Sequence, residues 1–297
     1  MQDIPPAIPA VFHQTGPTPL PEWAERYRDT LREWHPRWGY RFWTDDDLER
    51  IVRDHYPWLW DTFRRCAIIQ KADLGRYCIL HRHGGVYCDT DIYWRGPLDP
   101  VLERGDPGAL WLAHSPRTLP TDAGHDITNY LMASPAGHPF WLEALREAQR
   151  RLDHKLWPWW AVNESLRVTC TTGAKMLTPL GRRHSAQIFR EPEVLNLFCA
   201  HTPVQPGTVA VHNGGTSRAF GGQRSWSSYA KLVHHECSLR KSFGVRGNTC
   251  QFPHCIAALY CTLLAVVVVV IGVMAWWCTR WRRWHLRVDH QHTSSAP

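Results

Sequence analysis

The uncharged run CIAALYCTLLAVVVVVIGVMAWWC, from Cys255 to Cys278, constrains this chain more than any other stretch. It exceeds the roughly 20 apolar residues that carry a helix across a bilayer. It is also apolar on every side, which a core helix of a soluble domain is not. Trp276 and Trp277 close it like an aromatic belt, and Arg280, Arg282, Arg283 and Arg287 follow. We therefore expect a membrane-spanning helix at residues 255–278, a juxtamembrane linker at 246–254 and a basic tail at 279–297. The chemistry then falls to a single domain at residues 1–245.

The composition of the 297 residues, 44% apolar and 21% charged, is that of a folded protein. The net charge of +7 comes partly from the tail, where it suits lipid headgroups. No zinc-finger spacing, arginine-rich helix or aromatic RNA-binding signature occurs, so nucleic acid is not an expected partner. The ten cysteines form no CxxC pair. Cys66, Cys78 and Cys88 lie in apolar segments and read as buried thiols.

Strand and helix signals alternate through the first domain. Ile8–Gln14 reads as a strand, Pro21–Trp34 as a helix and Tyr40–Trp43 as a second strand. Thr44 then caps a helix whose first turn holds Asp45, Asp46 and Asp47. That use explains the Asp45/Asp47 pair better than a metal does. Arg65–His81 reads as a further helix, stopped by Gly84 and Gly85. Such alternation argues an α/β domain with a largely parallel sheet.

The segment HGGVYCDTDIYW, His83–Trp94, sets two aspartates in an apolar, β-branched and aromatic surround, although Asp is a poor strand former. Read as one strand from Val86 to Trp94, it puts Asp89 and Asp91 on one face. Val86, Cys88, Thr90 and Ile92 then pack inward. Two carboxylates so close need a proton or a cation between them, and an all-oxygen pair suits Mg²⁺ or Mn²⁺. A solvated loop after a short strand is the alternative reading of the spacing. A calcium-binding EF loop fails, because Trp94 and Pro100 stand where Gly and Glu are required. An aspartyl-phosphate phosphatase pattern is disfavoured by Tyr93.

Several blocks together carry a resemblance. They are IPAVFHQT, WHPRWGYRFWTDDDL, KADLGRYCILHRHGGVYCDTDIYWRGPLD, NYLMASPAGHPF, TTGAKMLT and a late VHN followed by RSW. In this order, from about Ile8 to Trp226, the chain resembles the D-x-D glycosyltransferases of family 32. That family includes fungal initiating mannosyltransferases and mannosyltransferases of inositol phosphorylceramide. The resemblance implies a GT-A-like, Rossmann-like fold: a mixed, mostly parallel sheet with flanking helices. It further implies a nucleotide-sugar donor, Mn²⁺ or Mg²⁺, and retention of configuration at the transferred sugar. Asp89 and Asp91 match the D-x-D that coordinates metal and donor. Asp73 and Arg76 match the Asp and Arg that contact the donor sugar in similar enzymes. The pattern departs at Ala174, where the family more often has proline.

Physical reasoning supports the same assignment. A nucleoside diphosphate leaves readily only when its developing charge is stabilised, which a divalent ion does as a Lewis acid. Asp73 and Arg76, three apart, share a helix face; their plainer reading is an exposed ion pair. His212 ends the apolar run TVAVH and is the candidate third ligand, tilting the site towards Mn²⁺. Trp226 is a candidate donor-pocket residue, with a core role as its alternative. Asn129 and His138 are loop and substrate-pocket candidates.

The expected function is membrane-anchored, metal-dependent hexosyl transfer, from GDP-mannose to a glycolipid such as inositol phosphorylceramide or to a glycan. A non-catalytic, metal-dependent glycan-binding membrane protein is the alternative. The resemblance and the slight charge bias of four arginines after the span, against Arg240, Lys241 and Arg246 before it, point to a lumenal catalytic domain in the Golgi or ER. No basic region followed by an apolar core opens the chain.

Overall fold

The structure, a computed structural model, describes residues 7–114, 127–158, 161, 164–189, 193–196 and 206–212. All of them fall within one compact unit, Met1–Thr249. Trp226 and the expected span at 255–278 lie outside the described residues. Among those described, no helix is long and apolar enough to cross a membrane.

The chain opens with β1 (Val11–Thr15), α1 (Glu22–Trp34) and β2 (Gly39–Trp43), as the hydrophobic pattern indicates. α2 (Asp45–His55) begins at Thr44, whose hydroxyl accepts from the Asp47 backbone while the Asp47 carboxylate accepts from Thr44 N–H at 3.0 Å. The acidic triplet is therefore helix-starting chemistry. α3 (Pro57–Arg65) and α4 (Ile68–His83) follow. The single helix expected over Arg65–His81 is broken at Cys66–Ala67. Ala67 takes an extended conformation, and its N–H is capped by the Gln70 side chain at 3.1 Å.

Gly84 ends α4 at φ +63°, a left-handed value that favours glycine. A Cβ there would meet the backbone nitrogen of Ala136 at 2.4 Å, so glycine is required twice over. Beyond it come β3 (Gly85–Cys88), β4 (Ile92–Trp94), α5 (Asp99–Leu102), β5 (Trp111–His114) and β6 (Ile127–Ser134). The described elements close with α6 (Pro139–Asp153), α7 (Glu164–Thr171), α8 (Ala174–Arg183), β7 (Gln187–Phe189), β8 (Val194–Asn196) and β9 (Ala210–His212).

Six strands form one sheet in the order β2-β1-β3-β6-β5-β7, and only β6 runs against the other five. The largely parallel sheet expected from the alternation is observed, and β6 makes it mixed, as the resemblance implies. One face buries Tyr87, Met132 and Leu112 beneath α2, α3, α4, α6 and α8. The other buries Phe12, Val86, Cys88 and Leu131 against Leu31 of α1 and a three-stranded sheet, β4-β9-β8. Trp94, fully buried between the two sheets, is among the largest side chains in this second core.

One expectation is corrected here. Val86–Trp94 is not one strand. β3 ends at Cys88, and Asp89–Asp91 form a turn closed by Ile92 N–H to Asp89 O at 3.3 Å. β4 then joins the other sheet by pairing with β9. The poor strand preference of Asp prevails at the point where the apolar pattern would have carried the strand through. The inward set holds nonetheless: Val86, Cys88, Thr90 and Ile92 are all buried.

Candidate functional site

The site lies where an α/β sheet presents ligands most readily. From β1 the chain crosses through α1 to β2 on one side, then returns through α2, α3 and α4 to β3 on the other. The carboxyl ends of β1 and β3 thus form a topological switch point, the usual ligand crevice of such sheets. Asp89 is the residue immediately beyond β3.

Asp89, Asp91 and His212 meet there, each offering a ligand atom within 4.8 Å of the other two. His212 is the last residue of β9 and pairs with Ile92 of β4, which carries its Nε2 to 3.3 Å from Asp91 Oδ1. Of the solvated-loop alternative, the short strand followed by a turn is found, but Asp91 is fully buried and not solvated. Burial, with the nearby charge of Asp91 adding to it, pushes the Asp89 carboxyl up to about 6, against the opposing pull of Arg76, His212 and the Tyr87 hydroxyl. Two crowded carboxylates with an imidazole are a donor set that a divalent ion of the Mn²⁺ or Mg²⁺ kind fits.

Arg76 faces this set from α4. Its Nη1 lies 3.1 Å from Asp89 Oδ1 and donates to Asn129 O at 2.8 Å. Nε donates to Ala72 O at 3.2 Å, and Nη2 lies 3.5 Å from Asp73 Oδ1. The guanidinium also sits over the Tyr87 ring. Burial works against its charge, but Asp89, Tyr87 and Asp73 overcome that and raise its pKa. Asp73 and Arg76 are both buried, so the exposed ion pair is ruled out. Burial raises the Asp73 pKa, while Arg76, Thr172 and Asn129 pull it back.

Both oxygens of Asp73 are engaged within the protein. Oδ1 accepts from Asn129 Nδ2 at 2.7 Å and Oδ2 from the Thr172 hydroxyl at 2.7 Å. Tyr77 closes the group, donating to Thr172 O at 2.5 Å and receiving Asn129 Nδ2 at 3.1 Å. Asn129, read as a loop residue in the sequence, stands on β6. Ala174 occupies the first position of α8, where proline is also favoured, so the departure from the family pattern leaves this turn helix-competent.

β1 supplies a support that its sequence did not announce. His13 Nε2 lies 3.0 Å from Gly84 O, while its Nδ1 accepts from Trp43 Nε1 at 3.2 Å. Gln14 Nε2 donates to Asp89 O at 3.3 Å. Thr15 and Tyr87 hydroxyls are 3.0 Å apart, and Tyr87 donates to Asp89 Oδ1 at 2.9 Å. Three consecutive residues thus hold the end of α4, the main chain of Asp89 and its carboxylate. The only signal for them was their place in the block IPAVFHQT.

His138 is not at this site: it caps α6, accepting from Phe140 N–H at 3.3 Å, and its ring lies 6.1 Å from that of His184. Trp226 lies outside the described residues.

Residues 21–106 match the family described as a glycosyltransferase sugar-binding region containing a DXD motif. A mannosyl phosphorylinositol ceramide synthase of Saccharomyces cerevisiae is 36% identical over 149 residues, covering 48% of this chain and 36% of that protein. Inositol phosphoceramide mannosyltransferase 3 of Schizosaccharomyces pombe is 32% identical over 147 residues, covering 48% of this chain and 38% of that protein. The chain spans less than half the length of these curated relatives. Among solved structures, the PaToxG glycosyltransferase is 13% identical at a TM-score of 0.44, over 60% of this chain and 70% of that one.

Proposed function

We propose, from the premise that residues 21–106 are a glycosyltransferase sugar-binding region containing a DXD motif, that this protein is a metal-dependent glycosyltransferase of the GT-A kind. The observation that carries this reading is the convergence of Asp89, Asp91 and His212 at the switch point of the sheet. The donor we infer is GDP-mannose and the acceptor a glycolipid of the inositol phosphorylceramide type; the names of its relatives support the mannose and the acceptor class.

In this reading Asp89, Asp91 and His212 hold Mn²⁺ or Mg²⁺. A bound ion there supplies Lewis acidity towards the departing diphosphate. Arg76 favours the ionised form of Asp89 through its charge. Asp73, fixed by Asn129 and Thr172, sets the position of Arg76. The run at residues 255–278 anchors the domain beside a lipid acceptor, which raises its effective concentration without new contacts. We further propose a lumenal active site in the Golgi or ER.

The full-length chain in detergent, screened against nucleotide sugars, tests the chemistry. We expect slow release of nucleotide from GDP-mannose that requires Mn²⁺ or Mg²⁺. Absence of metal-dependent release from every nucleotide sugar overturns the reading in favour of a glycan-binding protein. Orientation is tested with an engineered N-x-[ST] acceptor in a surface loop, glycosylated only on the lumenal side.

A further inference from the structure

We propose that Tyr130 is the positioning residue for the metal-ligating His212, and that it ties this histidine to the D-x-D turn. The inference rests on the metal reading of the site and extends it to a residue outside the matched region.

Tyr130 lies on β6, at the centre of the large sheet, and is buried. Its ring and that of His212 are nearly parallel, at 4° with centroids 4.2 Å apart. Its carbonyl accepts the N–H of Asp89 at 2.8 Å, and its hydroxyl donates to His114 O at 3.4 Å. One residue therefore holds Asp89 by its main chain and His212 by its side chain.

The stack matters because of how imidazole binds. The lone pair of Nε2 lies in the ring plane, so the plane decides where a cation must sit. Rotation about χ2 of histidine is broad and has no sharp staggered preference of its own. A buried aromatic face laid along the ring removes that freedom and keeps Nε2 directed to Asp91. Coordination would also draw charge out of the imidazole and make it a better partner for an electron-rich ring face. By reciprocity, whatever the cation adds to the stack, the stack adds to cation affinity.

The experiment measures Mn²⁺ binding to the full-length chain by electron paramagnetic resonance, with no sugar donor present, alongside thermal melting. Tyr130→Leu should weaken Mn²⁺ about tenfold, the lower end for residues that orient a metal ligand, while Tyr130→Phe should stay within about twofold of wild type. Tyr130→Met, which fills the space with an unbranched chain, gives the same reading if Tyr130→Leu does not fold.

The decisive arm repeats these changes in a His212→Ala background. There the loss of the ring should no longer weaken Mn²⁺ binding, since no imidazole remains to be oriented. An equal loss in both backgrounds would show a role in general packing and overturn the inference, as would unchanged affinity in Tyr130→Leu. A wild-type chain that binds no Mn²⁺ overturns the metal reading, and the inference with it. Binding that depends on Asp91 but not on Tyr130 leaves the metal reading standing and removes this inference alone.

Discussion

Arg76 Nη1 stands 3.1 Å from Asp89 Oδ1, with both side chains largely withdrawn from water. Removing one partner of a buried pair leaves the other charge uncompensated, which costs about 3–5 kcal/mol. Arg76→Met should therefore destabilise the domain by this order in urea unfolding. Arg76→Lys should also lose most transfer activity, because one ammonium cannot serve Asp73, Asp89 and two carbonyls together. Near-wild-type stability and turnover in both variants would show that the pair does little.

Asp91→Asn removes a buried charge beside a second carboxylate while preserving volume. We expect Mn²⁺ binding, followed by calorimetry, to be abolished and the melting temperature to hold or rise as like-charge crowding is relieved. Undiminished binding would remove Asp91 from the ligand set.

Thr172→Val takes the hydroxyl from Asp73 Oδ2 without changing the shape of the side chain. A buried acceptor left without its donor costs about 1–3 kcal/mol. Thr172→Ser should retain most of the stability that Thr172→Val loses, as read from denaturation midpoints. Stability kept in Thr172→Val but lost in Thr172→Ser would assign the effect to the methyl group instead.

His13 gives the fold a pH dependence. Its pKa is lowered to about 4 by burial, with the charges of His83 and Arg41 adding to this and the Gly84 carbonyl opposing it. Between that value and 6.5 the unfolded chain binds a proton that the folded chain refuses. Stability is thus full above about pH 6.5 and is lost as pH falls towards 4, by about 3 kcal/mol if unopposed. His35, lowered mainly by burial, acts in the same direction. Urea midpoints from pH 7 to pH 4.5 should fall, and by less in His13→Gln. An identical slope in that variant would clear His13.

Much of the fold was legible because its signals are local. Thr44 with Asp47, the Gly84-Gly85 stop and the helix after Pro21 each depend on a few neighbouring residues, and all are found. The strand through Asp89 was misread because apolar alternation continues on both sides of a point where the chain changes sheets. Periodicity records which residues are buried, and both sheets bury the same face of this segment. His212 could be nominated from its place at the end of an apolar run. The supports of the site could not, because Thr15, Tyr130 and Thr172 reach it only through strand pairing and packing across many residues. Their hydroxyls and rings are ordinary in sequence and gain a role only by proximity.

The turn between β3 and β4 has a mechanical consequence. Asp89 is fastened to the large sheet, through Gln14 and Tyr130, whereas Asp91 and His212 are carried by the small one. A cation gripped by all three would act as a rivet driven through two plates. Its affinity would then gauge how well the plates are aligned, including changes made far from the ligands. Trimming Trp94 or Phe12, which lie between the sheets, should loosen the grip on the ion although neither residue is among its ligands.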